Sequence, residues 1–208
     1  MGVIWHSSGI KTYEDTLSKA VIFGATGAGS TSAVVPQILN DLERAKYNII
    51  QGYEGGSAVR LAMESGEVDA MMPSYSSLLS DRPEWFTDGS INIIWQLANE
   101  PHPDLPDVVT IGSLGETPEE QGMYRLIAGV AEIGRAIVTT PNVPDAQLKT
   151  LRAGFDDMAK DPAFIAAAKQ RNLPIDAMSG EDLQVRIAEQ LDAPEGALDL
   201  LRQYLTAN

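Results

Sequence analysis

The 208-residue sequence predicts an α/β fold, for three reasons. Short apolar segments alternate with amphipathic segments through the first half of the chain, as strands and helices do in that class. The apolar segments are rich in Val and Ile and are bounded by Gly, Pro, Asn or Asp, which is typical of buried strands. Glycine-rich loops follow two of these segments and lead into helical ones.

Four strands and two helices are expected in the first half. The strands are Ala20–Phe23, Asn48–Gln51, Val68–Met72 and Ile91–Leu97, and the helices are Ser32–Ala45 and Ser57–Ser65. Pro36 fits only near the opening turn of a helix, so the first helix is expected to start late or to be kinked. Residues 98–122 are rich in Pro, Gly and acidic residues and are expected to form an irregular connection.

The second half is expected to be mostly helical. Predicted helices cover residues 119–132, 162–171, 179–191 and 194–205, and Arg135–Thr139 is a strand candidate. One more helix carries Leu148, Leu151, Phe155 and Met158 at three- and four-residue spacing, which gives it a single apolar face. These helices bring only one strand candidate with them. We therefore expect part of the sheet that they cover to lie outside this sequence.

Composition and charge exclude several classes of function. The net charge of −14 repels nucleic-acid phosphates and anionic lipids, so neither nucleic acid nor a membrane surface is an expected partner. The absence of Cys excludes disulfides, thiolate nucleophiles and Cys-bound metals. No apolar stretch approaches the ~18 residues that a membrane span needs, so direct insertion is not expected. The first residues lack the pattern of a secretory signal.

The segment Ala20–Ser32 has the most informative pattern. Its sequence, AVIFGATGAGSTS, places three glycines and then three hydroxyl residues between an apolar strand and a helix. Glycines let a ligand approach backbone amides closely, and a helix start directs unpaired N–H groups and the positive end of its dipole at that ligand. We therefore predict an anion-binding loop made of Thr26, Gly27, Ala28, Gly29, Ser30 and Thr31.

Two nucleotide-binding motifs resemble this loop, and each fails at Ser30. A P-loop requires lysine at that position, after the glycine that Gly29 supplies, and a dinucleotide-binding loop requires a third glycine there. No tyrosine is followed four residues later by the lysine of a short-chain dehydrogenase. An NAD(P)- or nucleotide-binding α/β enzyme that uses the Gly24–Ser30 loop stays open as the alternative function.

Two further loops repeat part of this arrangement. Gly52–Ser57 follows one predicted strand and opens a helix, and Met72–Ser77 follows the next strand. The carboxyl ends of parallel strands lie side by side, where open α/β sheets bind ligands, so we expect the three loops to face one ligand. The two loops add Tyr53, Gly55, Gly56, Ser57, Ser74 and Tyr75 to the candidate site.

Catalytic and metal-binding patterns are missing from the sequence. His6 and His102 are isolated and are expected to be surface residues. A G-x-S-x-G hydrolase elbow is absent, because Ser113 has Ile111 two residues before it. No set of residues supplies a nucleophile, a base and an oxyanion site together. We therefore expect a binding protein that needs no cofactor and no metal.

An ordered set of short motifs runs through nearly the whole chain. They are G-x-G-S at Gly27–Ser30, Y-x-G-G at Tyr53–Gly56, G-x-V-D at Gly66–Asp69, L-P-D-V-x-T at Leu105–Thr110 and a proline turn at Thr140–Pro144. The set resembles the solute-binding proteins of tripartite tricarboxylate transporters, the Bug-type extracytoplasmic receptors. Glu54 stands where that family commonly has lysine, Val109 replaces a proline, and Ala33 and Val34 stand where a histidine is common. These departures leave the identity of the ligand open.

The resemblance implies a type II periplasmic-binding-protein-like fold of two α/β lobes, one of them incomplete in this chain. Residues 8–122 would form domain two, the ligand-binding lobe, and residues 123–208 the mostly helical C-terminal part of domain one. The implied function is capture of a small carboxylate in the periplasm, without catalysis, for the membrane components of a transporter. The matched residues Gly27, Ala28, Gly29, Ser30, Gly55 and Gly56 would hold the carboxylate, largely through backbone amides. A third possibility is a degenerate form whose exposed apolar face makes it associate.

Overall fold

A five-stranded mixed sheet forms the centre of the first half of the chain. The computed structural model describes residues 1–206. Within them the strands are β1 (Gly2–Trp5), β2 (Val21–Gly24), β3 (Tyr47–Ile50), β4 (Ala70–Met71) and β5 (Ile91–Trp95), in the spatial order β3-β2-β4-β1-β5. β2 is parallel to β3 and β4, whereas β1 is antiparallel to β4 and β5. The four strands predicted in this half are confirmed, with β4 and β5 shorter than expected.

Two parts of the strand prediction differ from the structure. β1 is not predicted, because four residues are too few for periodicity to separate a strand from other buried structure. The predicted strand Arg135–Thr139 is wrong, since these residues form an irregular segment in which Ile137 and Val138 are 76% and 81% exposed. A strand needs a partner that completes its hydrogen bonds, and no residue within 1–206 pairs with this backbone.

Nine α-helices account for most of the other residues in the described range 1–206. They are α1 (Tyr13–Ser18), α2 (Thr31–Glu43), α3 (Gly56–Glu64), α4 (Tyr75–Asp81), α5 (Pro118–Ile133), α6 (Asp145–Lys160), α7 (Pro162–Gln170), α8 (Gly180–Leu191) and α9 (Glu195–Thr206). All helices predicted from the sequence are confirmed, and the short α1 and α4 are additional. None of the helices in this range is both long and apolar enough to cross a membrane.

The start of α2 differs from the prediction based on Pro36. The helix begins at Thr31 and continues through Pro36, which is buried inside it. Proline removes the hydrogen bond to the carbonyl four residues earlier, and here that carbonyl belongs to Ser32, in the first turn. The predicted late start is therefore wrong, and the N–H groups of the first turn stay at the end of β2.

Hydrophobic cores lie on both faces of the sheet. α2 covers one face, where Phe23, Ile38 and Tyr124 are almost completely buried. α5 and α9 extend this layer, because they pack on each other and α9 packs on α2. α3 and α4 cover the other face around Met63 and Leu78. The strands are thus held between two helical layers, and the carboxyl ends of the parallel strands β2, β3 and β4 lie at one edge of the sheet.

The helices α6 and α7 are much less buried than the sheet and its two layers. α6 has no fully buried residue, and in α7 only Ala168 is buried. The predicted apolar face of α6 lines an open cleft of about 1800 Å³, formed with the end of α5, the segment after it and α8. No strand within residues 1–206 covers this face. The division of the chain at residue 122 stays a prediction, and the structure places Met123 and Tyr124 in the core beside α2.

Gly24, at the end of β2, is expected to tolerate no larger residue. A Cβ there would lie 2.6 Å from Val59 Cγ1 and 3.2 Å from Val68 Cγ2, and both valines are stiff, buried side chains. We expect Gly24→Ala to lower the free energy of unfolding by about 1–3 kcal/mol, measured by urea denaturation. Gly27→Ala is the matched control, because its Cβ would have no neighbour within 4 Å. Equal stability of the two variants would contradict this packing.

Candidate functional site

The loop after β2 is a β-turn that leads directly into α2. The Ser30 N–H donates to the Gly27 carbonyl at 2.9 Å, and the Ser30 hydroxyl donates to the same oxygen at 2.7 Å. The Ser32 hydroxyl accepts the Thr26 N–H at 3.2 Å. Gly27 and Gly29 are exposed, and a Cβ at either position would find no atom within 4 Å. The outer surface of the turn is therefore open to a ligand.

Backbone amides are the unpaired donors of this loop. In the part of the chain that the structure describes, no acceptor pairs with the N–H groups of Gly27, Ala28, Gly29, Thr31 and Ser32. Thr31 and Ser32 are the first residues of α2, so the positive end of the helix dipole adds to their donors. The hydroxyls of Thr26, Ser30 and Ser32 bond to one another, so they hold the shape of the turn.

The loop after β3 lies directly beside the first loop. The Ala25 N–H donates to the Ile50 carbonyl at 2.8 Å, and the Gly52 N–H donates to the Thr26 carbonyl at 2.7 Å. At the start of α3, the N–H groups of Gly55, Gly56 and Ser57 have no acceptor among residues 1–206. Two sets of unpaired amides therefore occur on neighbouring loops at one edge of the sheet.

Two predicted site residues direct their hydroxyls at carboxylates of this chain. The Tyr53 hydroxyl donates to Glu67 at 2.5 Å, and this hydrogen bond raises the pKa of Tyr53 to about 12. The Tyr75 hydroxyl donates to Asp104 at 2.6 Å, and burial together with this bond raises the pKa of Tyr75 to about 12. Both tyrosines thus stay protonated near neutral pH and hold their loops in place.

The loop after β4 borders an open cleft. The Ser74 hydroxyl caps α4 by accepting the Ser77 N–H at 3.1 Å. Ser74, Tyr75 and Thr31 line the open cleft of about 1800 Å³, whereas the Gly27–Ser30 turn and the 55–57 loop do not. A pocket that encloses one small ligand measures about 300–1000 Å³, so this cleft is wider than such a pocket. Thr31 connects the two regions, because it follows the glycine turn and borders the cleft.

None of the three loops carries a positive side chain. Residues 25–32, 51–57 and 72–77 contain no Lys or Arg, and Glu54 is exposed in the second loop. Amides and a helix dipole are therefore the groups that can hold an anion here. Among residues 1–206, no group of three or more His, Cys, Asp or Glu side chains could hold a metal ion.

Sequence reasoning did not include Gln96 and His102 in the site. Both line the cleft that Thr31 and Ser74 border. The His102 ring lies against the Tyr75 ring, with centroids 4.3 Å apart, and its side chain is 40% exposed, so it lies at the surface as expected but has an aromatic neighbour. No local pattern could indicate this contact, because it joins residues from different connections through the tertiary fold.

Comparisons with known proteins give similarity in structure only. No protein-family model matches the chain, and no curated protein matches it in sequence. A TctC solute-binding protein from Polaromonas, solved without ligand, is 15% identical, covers 91% of this chain and gives a TM-score of 0.59. A protein of R. palustris solved with adipate is 12% identical, covers 99% of this chain and gives a TM-score of 0.60.

This chain spans 62% and 64% of the lengths of those two proteins. Sequence identity is low, whereas the fold agrees over nearly all of this chain. The sheet with helices on both faces, and the helices after it, are therefore shared with a longer protein in each case. The chain has the periplasmic-binding-protein-like fold of a TctC solute-binding protein, as the ordered motifs indicated.

Proposed function

We propose that this chain captures a small carboxylate, without catalysis, for a tripartite tricarboxylate-type transporter. The observation that carries the proposal is the row of unpaired N–H groups on the open turn from Gly27 to Gly29 and at the start of α2. A second row opens α3 on the neighbouring loop. Such amides suit a carboxylate, which accepts several hydrogen bonds at once.

The charge of the protein favours this mode of binding over one based on basic side chains. With a net charge of −14 and no Lys or Arg in the three loops, attraction of an anion depends on oriented dipoles close to it. Dipoles act over short distances, so they favour a compact anion that touches the turn over an extended polyanion. A carboxylate fits that requirement. A nucleoside triphosphate does not, because this loop lacks the lysine with which a P-loop reaches the phosphates.

The proposed ligand class agrees with one of the structural neighbours, which was solved with adipate. The comparisons give no support to the alternative of a nucleotide-dependent enzyme. We extend the proposal to the periplasm as the location and to the membrane components of a transporter as partners. These two parts are supported by the similarity in fold to a TctC solute-binding protein.

Amide NMR with adipate tests the binding proposal. We expect adipate to shift the ¹H–¹⁵N signals of Gly27, Gly29, Gly55 and Gly56, because its carboxylate would accept their N–H groups. Titration into the millimolar range is appropriate, since this chain spans less than two thirds of its structural neighbours. Hexane-1,6-diol is the control, because it has the same carbon chain and no charge. Absence of these shifts, or equal shifts with the diol, would contradict the proposal.

A further inference from the structure

His102 is held rigidly in the wall of the cleft. Its backbone N–H donates to the Gln96 side-chain oxygen at 2.8 Å, and its ring lies at 31° to the Tyr75 ring. Its Nδ1 accepts the Asp104 N–H at 3.1 Å. Contacts to three different residues therefore fix the backbone, the plane of the ring and the direction of one ring nitrogen.

Gln96 organises the whole loop that carries His102. It is 4% exposed, and its side-chain amide donates to the Leu105 carbonyl at 3.0 Å and to the Val108 carbonyl at 2.8 Å. All hydrogen-bonding groups of this buried amide therefore serve the segment from 102 to 108. The loop is pre-organised, so little conformational entropy is lost when a ligand contacts it.

The hydrogen bond at Nδ1 determines which nitrogen carries the proton. A neutral imidazole has one N–H and one acceptor nitrogen, and Nδ1 is the acceptor because it receives the Asp104 N–H. The proton of the neutral ring is therefore on Nε2. Among residues 1–206, no acceptor pairs with Nε2. His102 thus has one free donor, and its side chain remains 40% exposed.

The charge of Asp104 does not occupy the Nε2 side of the ring. Its carboxylate lies 3.9 Å from Nδ1 and accepts the Tyr75 hydroxyl at 2.6 Å. Nδ1 and Nε2 are separated by Cε1 in the imidazole ring, and their in-plane hydrogen-bonding directions diverge. An anion that approaches Nε2 therefore meets a donor first and the carboxylate last.

The other polar groups that line the cleft differ from the His102 Nε2–H in whether they are already paired. The turn Gly27–Ser30, with its unpaired N–H groups, is called the amide-rich turn, and Thr31, which follows it, borders the same cleft. Of the arginines that line the cleft, Arg152 pairs with Glu181 at 2.9 Å and Arg186 pairs with Glu132 at 3.4 Å. Arg135 has no ion-pair partner among the described residues, so it is the competing group for an anion in the cleft.

We infer that His102 donates its Nε2–H to the second carboxylate of a dicarboxylic acid whose first carboxylate is held by the amide-rich turn and the start of α2, which borders the same cleft at Thr31. This inference rests on the proposed function and names the residue that makes the site selective for diacids. A monocarboxylate of the same length would use the turn alone. His102 is then a specificity-determining residue, while Gln96 and Tyr75 position it.

The test compares adipate with hexanoate in the wild-type protein, His102→Ala and His102→Gln, by NMR titration at about pH 8. Loss of one hydrogen bond to a charged group should weaken adipate binding roughly tenfold in His102→Ala and leave hexanoate binding unchanged. His102→Gln keeps a side-chain N–H donor and should retain most of the preference for adipate. Arg135→Ala should leave the preference intact.

Equal loss of both ligands in His102→Ala would indicate a structural role and overturn the inference. Loss of the preference in Arg135→Ala alone would also overturn it, in favour of that guanidinium. A wild-type measurement supplements the variants: the ¹⁵N signals of the His102 ring should show the Nε2–H form and shift with adipate but not with hexanoate. Adipate-dependent shifts at Gly27 and Gly29 without this ring shift would refute the inference and leave the proposed function standing.

Discussion

Trp95→Ala is expected to lower the free energy of unfolding by about 3–5 kcal/mol, the largest effect of any single substitution considered for this protein. Trp95 is completely buried, and its ring is stacked on Phe23 with centroids 6.4 Å apart. Its indole N–H donates to the Tyr47 hydroxyl at 3.0 Å. Since Tyr47 is on β3 and Trp95 on β5, the indole connects the two edge strands across one face of the sheet.

Several losses add up in this variant. The alanine leaves a large cavity, and the buried Tyr47 hydroxyl loses a donor. The space cannot be filled from β1, where Gly2 packs so closely on the indole that a Cβ would overlap its ring. Urea denaturation followed by circular dichroism measures the change. Trp95→Phe is the control, since it keeps an aromatic ring and should lose clearly less. A loss below about 1 kcal/mol for the alanine variant would contradict this account of the core.

Gly29→Val is expected to abolish most carboxylate binding while leaving the fold intact. Gly29 is exposed, its φ is not in the left-handed region, and an added Cβ would touch nothing within 4 Å. Valine should therefore change stability by less than about 0.5 kcal/mol. Its methyl groups would occupy the space over the turn through which a ligand reaches the amides, so affinity for adipate should fall by at least about tenfold, which corresponds to about 1.4 kcal/mol.

A graded series makes this prediction specific. Gly29→Ala should weaken adipate binding less than Gly29→Val, because the obstruction grows with the side chain, whereas stability should stay level in both. Gly55 is unsuitable for the same series, since its φ of 125° would strain any other residue. Isothermal titration and thermal unfolding separate binding from stability. If the wild type, Gly29→Ala and Gly29→Val bind adipate with the same affinity, the turn is not the binding surface.

The local sequence was sufficient to predict the turn and the elements around it. The glycines at 27 and 29, the apolar run before them and the helical pattern after them are all contained within a short segment, so strand, turn and helix could be assigned together. The start of the helix was placed too late because of Pro36, and it lies at Thr31. The same holds for α5, where Thr117 and Glu120 form a capping box. These interactions join residues close in sequence.

Both errors about strands concern interactions that require a distant partner. Arg135–Thr139 has the composition of a strand, but strand formation depends on another strand beside it, and none within residues 1–206 pairs with it. β1 was not predicted, although pairing with β4 and β5 buries Val3 and Ile4 completely. A pattern reports the tendency of a segment, whereas hydrogen bonding between strands depends on where the rest of the chain lies.

The sequence by itself determined the α/β class, the positions of the helices other than α1 and α4, and the presence of exposed glycine turns, because backbone conformation and amphipathic periodicity are properties of neighbouring residues. Only the tertiary structure decided which donors stay free. It occupies the hydroxyls of Tyr53 and Tyr75 with carboxylates of this chain, leaves the amides of the turn unpaired and brings His102 to the cleft. Whether a polar group is satisfied depends on partners that folding brings together from distant parts of the chain, and that information is absent from any local pattern.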